Sequence, residues 1–280
     1  MRQTAGWLHR HVWARLALLL TLPSAWLVLV YLVPLGLLFV TAFWRTDSFT
    51  GSVVRELTTQ NLLDVLEKPV YLQLLGRTVL VAVAVTVVCA ALAVPMALFM
   101  AKVAAPRWQP LLVALVLTPL WASYLVKVYA WRSMLSPSGL VASVFGGTPG
   151  YGWTAVVLVL SYLWLPYMVL PVYTGLTTMR ASLLDAASDL GARPWTGLRT
   201  VVLPLLAPSL AAGSVFTFSL SLGDYITVQL VGGTSEMVGN AIYQNFSVDL
   251  PFAAALATLP AIVMLGYLAA VRRTGALQSL

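Results

Sequence analysis

The sequence predicts an all-α membrane protein with six transmembrane helices, and three observations predict it. Of 280 residues, 60% are hydrophobic and only 9% are charged, against about 25% charged in an average soluble domain. So little polar surface cannot cover so much apolar side chain in water, which makes the bilayer the solvent. Six charge-poor stretches, near 16–44, 79–101, 108–131, 153–179, 205–228 and 250–271, are each close to or above the roughly 20 residues that cross a hydrocarbon layer of about 30 Å. Helices are required there, because lipid offers the backbone no hydrogen-bond partner. The basic residues, finally, are unevenly shared between the two sides. With both termini on one side, ten of the 16 Lys and Arg fall there, among them Arg2, Arg10, Lys102, Arg193 and Arg273. That bias predicts cytoplasmic termini. The net charge of +7 is therefore a topology signal, and nucleic acid is not an expected partner.

The first span follows a basic start, "MRQTAGWLHRHVWAR". Its apolar run exceeds the 7–15 residues of a signal core, so an uncleaved helix is expected. The long segment after it contains "TTQNLLDVLEKPVY", which places Leu62, Leu63, Val65 and Leu66 in an amphipathic helical pattern stopped by Pro69. Cys89 lies within the second span as a small packing residue, and no disulfide can form within a chain that has one cysteine. Between spans three and four, "SPSGLVASVFGGTPGYGW" reads as turns around one short helix. Pro34, Pro95, Pro119, Pro166, Pro171 and Pro260 fall inside spans, where each removes a backbone donor and favours a kink. No repeat and no soluble segment is visible, so residues 1–280 read as a single membrane domain.

Several chemistries are excluded by what is missing. The only histidines, His9 and His11, precede the first span, so no histidine-dependent catalytic or metal site is expected in the bundle. No P-loop pattern occurs, so ATP is not expected to bind this chain. "GGTSEMVGN" is not a nucleophile elbow. No catalytic residue, metal ligand or cofactor is expected.

Two intramembrane charges stand out. If the fifth span starts near Leu205, Asp224 in "SLGDY" lies about 29 Å along it; Lys127, counted from Gln109, lies about 27 Å along the third. At similar depth they can form an ion pair near the outer mouth. Alternatively, Asp224 meets a cationic solute with help from Tyr124, Trp164, Tyr167 and Tyr225, because aromatic faces attract cations by about 0.5–2 kcal/mol. The charged pair also suits an ion-coupled secondary transporter using Asp224 and Lys127.

The polar stretch "DAASDLGARPWTGLRTVVLPLLAPSL", between spans four and five, carries the most specific pattern. Asp185, Ala186 and Ala187 are followed at fixed spacing by Gly191, Val201, Leu203 and Pro204. This resembles the E-A-A-x3-G-x9-I-x-L-P signature of permease subunits from binding-protein-dependent ABC importers. Asp185 stands where the signature has Glu, and Val201 where it has Ile; the shorter acid keeps the charge but has less reach. Small alanines permit close approach by another protein, and glycine permits a sharp reversal. The resemblance implies the type I importer permease fold, with residues 180–204 as a cytoplasmic coupling loop gripped by a separate ATPase. It also implies a dimer of those ATPase subunits holding ATP and Mg, a second homologous permease subunit, and an extracytoplasmic solute-binding protein. "LTPLWASYLVKVYAWRSMLSPSGLV", "LPYMVLPVYTGL" and "SLGDYITVQLVGG" resemble the spermidine/putrescine branch, which implies a polyamine solute. The likeness runs from about Gln60 to the C-terminus.

Overall fold

A computed structural model describes residues 12–47, 49–180, 183, 189, 191 and 193–273. His9 and His11 lie outside the described residues. The helices are α1 (Val12–Leu27), α2 (Val33–Thr41), α3 (Gln60–Glu67), α4 (Pro69–Leu98), α5 (Gln109–Trp121), α6 (Tyr124–Met134) and α7 (Leu140–Phe145). They continue as α8 (Trp153–Thr178), α9 (Pro194–Gly197), α10 (Leu203–Leu222), α11 (Ile226–Val231), α12 (Val238–Phe246) and α13 (Leu250–Arg273). Among the described residues, five helical segments are long and apolar enough to cross a membrane: Leu19–Thr41, Pro69–Val103, Trp153–Thr178, Trp195–Leu222 and Leu250–Arg273. A bent pair, α5 with α6, makes a sixth when counted as one span.

Wider π-turns occur at Val28–Leu32, Phe99–Val103 and Leu198–Val202. Two of them have the same cause. Val33 N–H donates to Val28 O just before Pro34, and Leu203 N–H donates to Leu198 O just before Pro204. A proline ring clashes with the carbonyl four residues back, and one residue of extra slack in the preceding turn relieves that clash while the helix continues.

By packing, the chain divides into two compact units, Met1–Glu67 with Asn245–Thr258, and Lys68–Gln244 with Leu259–Leu280. The first unit holds α1, α2 and a short hairpin, β1 (Arg45–Thr46) against β2 (Val53–Val54). Asp47 organises its turn by accepting N–H groups from Phe49 and Thr50 at 2.8 and 2.9 Å. Gly51 supplies the left-handed residue at φ 66°. Thr46 Oγ1 donates to Asp249 Oδ1 at 2.7 Å, and the same carboxylate oxygen accepts the Phe252 N–H at the head of α13. Asn61 Nδ2 donates to the carbonyls of Ala42 and Trp44, which fastens α3 to the end of the first span. Pro69 does not merely stop α3. It opens α4 at the first helical turn, where its missing N–H costs nothing.

The second unit is built on α4, α8 and α10, which pack against one another. Ala93 and Ala97 of α4 and Ala155 of α8 are fully buried, as is Cys89. Without a hydrophobic effect between helices in lipid, small residues that allow close approach do this work. Gly213 of α10 shows the need: a Cβ there would lie 2.6 Å from Met168 Sδ on α8. The second span begins ten residues before the expected 79, because α4 runs on past Arg77 to Pro69. The fifth ends at Leu222 rather than 228. The expected straight third span breaks between Trp121 and Tyr124 with a bend of 90°. Ala122 and Ser123 adopt extended ψ values of 143° and 136° there, three and four residues after Pro119 has removed a helix donor.

Candidate functional site

The end of α10 sets the site. Past Gly223 the chain leaves the helix, and Asp224 folds back as an acceptor for the next short helix, α11. Its Oδ1 accepts the Thr227 N–H at 2.9 Å. Its Oδ2 accepts the Tyr124 hydroxyl at 2.5 Å and the Thr227 hydroxyl at 3.2 Å. Asp224 is 7% exposed and Thr227 fully buried. Burial disfavours the charge, while three hydrogen bonds to the carboxylate favour it. No cation among the described residues pairs with it; Arg45 and Glu56, which do pair, lie exposed beside the hairpin.

Lys127 does not reach Asp224. Its Nζ donates to Pro119 O at 3.0 Å instead. The bend explains the difference. Once α5 stops at Trp121 no helical N–H remains for that carbonyl, and the turn in the chain invalidates a depth counted along a straight helix. The secondary-transporter reading needed the charged pair, and it loses that premise.

Aromatic rings wall the carboxylate. Tyr124 stacks on Trp164 with centroids 6.1 Å apart, and Tyr167 lies 6.0 Å beyond Trp164. Phe216 follows at 6.4 Å from Tyr167. Tyr225 stacks on Tyr243 at 4.8 Å. A cavity of about 310 Å³ is lined by Tyr124, Trp164, Ser219, Gly223, Asp224 and Tyr225 among others. The buried Trp164 Nε1 has no hydrogen-bond partner. Larger depressions of about 380 and 710 Å³ are walled by apolar side chains such as Met96, Leu112, Val88 and Trp153 and contain no charged group. Of these three cavities, the smallest alone is lined by a charged group, Asp224.

Of the residues singled out in the sequence, Asp224, Tyr124, Trp164 and Tyr225 meet at one cavity, Tyr167 joins through Trp164, and Lys127 stands apart. Thr227 and Asn240 escaped the sequence reading. The spacing of Asp224 and Thr227 in "DYIT" is that of a helix start, in which a side-chain oxygen accepts an N–H two or three residues on. Asn240 carries no such local signal. Its Oδ1 accepts the Met237 N–H at 3.2 Å, and its Nδ2 donates to Tyr225 O at 3.1 Å, 15 residues away.

Within the polar stretch, Asp185, Ala186 and Ala187 lie outside the described residues. Gly191 is exposed with φ 79° and open space around it. Val201 lies half-buried in the π-turn, and Leu203 and Pro204 open α10. Among the described residues no three His, Cys, Asp or Glu converge on a point that would suit a metal.

Comparison with known proteins agrees with this architecture. A sequence profile described as "Binding-protein-dependent transport system inner membrane component" matches residues 93–274. The chain is 41% identical over 286 residues to the inner membrane ABC transporter permease protein YdcU of Escherichia coli (strain K12), covering 95% of this chain and 91% of that protein. It is 30% identical over 250 residues to the spermidine/putrescine transport system permease protein PotB of the same organism, covering 85% and 90%. In fold it is similar to a chain of a bacterial ABC transporter that imports the acidic polysaccharide alginate, with TM-score 0.68, 17% identity and coverage of 97% and 98%. A chain of the MetNI methionine ABC transporter gives a TM-score of 0.55 at 19% identity, covering 72% and 95%. The helices, their packing and these likenesses agree: the chain belongs to the inner membrane components of binding-protein-dependent transport systems, as a permease subunit of a type I ABC importer.

Proposed function

We propose that this importer permease passes a polyamine-class solute, a linear chain bearing two or more ammonium groups, into the cytoplasm. The observation that carries the reading is Asp224: a buried carboxylate with no cationic partner among the described residues, bordering a cavity walled by Tyr124, Trp164 and Tyr225. An ammonium group desolvates there at least cost, because the carboxylate supplies the opposite charge and the rings supply cation–π attraction of about 0.5–2 kcal/mol each. Tyr167 and Phe216 extend the aromatic surface along α8 and α10. Relatives named for spermidine and putrescine transport support the same class.

The driving force comes from outside the chain. In this reading residues 180–204 face the cytoplasm, as do both termini, in keeping with the Lys and Arg bias. They dock on a dimer of ATPase subunits, which hold the ATP and Mg. Asp185, Ala186, Ala187 and Gly191 form the contact, and Val201, Leu203 and Pro204 join it to α10. A second permease subunit completes the pathway, and an extracytoplasmic binding protein delivers the solute.

Uptake of labelled putrescine and spermidine by vesicles containing the complete transporter tests the solute reading. Asp224→Asn keeps the shape and removes the charge, and it is expected to lower uptake at least tenfold, the equivalent of about 1.4 kcal/mol. Unchanged uptake with unchanged apparent affinity would remove Asp224 from the pathway.

A further inference from the structure

We propose that α4 is a strut between the coupling segment and the Asp224 cavity, with Lys102 and Thr78 as the positioning residues that fasten its two ends. The inference rests on the reading that residues 180–204 dock on the ATPase.

At one end, α8 stops at Thr178 and Met179 turns extended, with ψ 127°. Carbonyls at a helix end lack intrahelical partners. Thr177 and Thr178 bend their hydroxyls back onto Thr174 O and Gly175 O, and Met179 O is left for an outside donor. Lys102 Nζ supplies it at 2.9 Å. A cation also suits the negative end of the α8 dipole. Lys102 can reach because it sits in the π-turn Phe99–Val103 that continues α4. The anchor therefore lies at the base of the coupling segment, one residue before Arg180.

At the other end, buried Thr78 donates to Leu74 O at 2.7 Å and accepts the Val238 N–H at 2.9 Å. Val238 opens α12, where the first N–H groups need such acceptors. Two residues on, Asn240 holds Tyr225 O, and Tyr225 lines the cavity beside Asp224. Thr78 and Lys102 are separated by about 36 Å of helix at 1.5 Å per residue, the full depth of the hydrocarbon layer. Between them α4 packs along α8 and α10 through Cys89, Ala93 and Ala97. A displacement at Met179 is thus carried along α4 to the segment that shapes the cavity, beside the direct route through α8 and α10.

The test uses the assembled transporter with ATPase, partner permease and binding protein, and does not depend on the solute. Ser219→Cys places a thiol in the cavity wall, while native Cys89 is fully buried, so maleimide labelling reports the cavity. In this background adding ATP and Mg is expected to change the labelling rate. Lys102→Met and Thr78→Val are each expected to shrink that change severalfold in complexes that still retain the ATPase. Lys102→Arg and Thr78→Ser, which keep the donor or the hydroxyl, are expected to restore it, so the inference stays testable if a harsher variant fails to assemble. The double variant is expected to do no more than either alone, as for two parts of one linkage. A wild-type response in both single variants, or two effects that simply multiply, overturns the strut. Gly191→Pro is the reference: loss of response there with both strut variants intact condemns the strut alone, and a full response there condemns the docking reading itself.

Discussion

The Tyr124 hydroxyl and the Asp224 carboxylate, 100 residues apart in sequence, meet at 2.5 Å. Tyr124 reaches that position because the chain turns through 90° immediately before it. The bend thus builds the site: it opens α6 at Tyr124 and directs that ring towards the end of α10.

Tyr124→Phe keeps the ring and its stacking on Trp164 but leaves Asp224 Oδ2 with the Thr227 hydroxyl alone. A hydrogen bond to a charged group is worth about 1.5–3 kcal/mol. The variant is expected to lose stability of that order by thermal unfolding in detergent. Trp164→Phe, which sacrifices no hydrogen bond, is expected to lose less. Equal losses in the two variants would show that stacking, not the hydroxyl, holds the pair together.

Much of this fold is legible in the sequence, and particular residues show why the rest is not. The absence of charge from Trp153 to Met179 fixes α8 almost to the residue, since lipid allows only a helix there. Arg77 misplaces the start of α4, because one snorkelling charge is tolerated near a span end. The break at Ala122–Ser123 has no strong local signal: Pro119 permits a kink but does not dictate a right angle. Asp224, Tyr124, Trp164 and Tyr225 stood out as charge and aromatic character in apolar surroundings, a signal that composition carries. Lys127 was paired wrongly because the pairing assumed a straight helix. Asn240 went unseen because its partners are fixed by tertiary packing alone.

The α8–α10 contact is expected to tolerate no side chain at Gly213. A methyl group there would press on Met168 Sδ at 2.6 Å and approach Met168 Cα at 3.1 Å. Since backbone lies behind the sulfur, the helices must move apart. Overpacking of this kind costs about 1–3 kcal/mol. Gly213→Ala is therefore expected to lower the melting temperature of the purified complex, and Met168→Ala in the same chain to recover part of it. A Gly213→Ala protein as stable as the parent would mean that the helices separate freely.

Asp47 gives the hairpin a pH dependence. The Thr50 and Phe49 N–H groups hold its carboxyl below the usual carboxylate range. A carboxyl with a depressed folded-state pKa contributes stability above its unfolded value, and that contribution fades as the pH falls through the folded value. Amide protection at Phe49 and Thr50 is therefore expected at neutral pH, to persist through the ordinary Asp value of about 3.9, and to fade only as the pH falls further. Asp47→Asn retains an acceptor oxygen without the titration, so its protection is expected to be weaker but level across the same range. Hydrogen exchange across that pH range checks both statements, and a parent profile as level as that of Asp47→Asn would refute the assignment.

The two halves of the Asn240 amide separate two roles. Its oxygen accepts the Met237 N–H and its nitrogen donates to Tyr225 O. Asn240 itself is only 6% exposed. Asn240→Ala leaves both backbone groups without this partner, each at a cost of about 1–3 kcal/mol where buried. Asn240→Asp keeps the acceptor but sets a carboxylate oxygen against Tyr225 O, and it adds a negative charge near Asp224. If the amide serves only to fold the 224–244 segment, Asp and Ala should differ in stability and agree in transport. If it holds Tyr225 at the cavity wall, both should impair transport of a cationic solute, with Asp the worse despite its retained N–H contact. The second outcome is expected, because the amide holds the backbone of Tyr225, which lines the cavity, and the chain packs closely there: a Cβ added at Gly239 would lie 3.1 Å from Tyr225 Cβ.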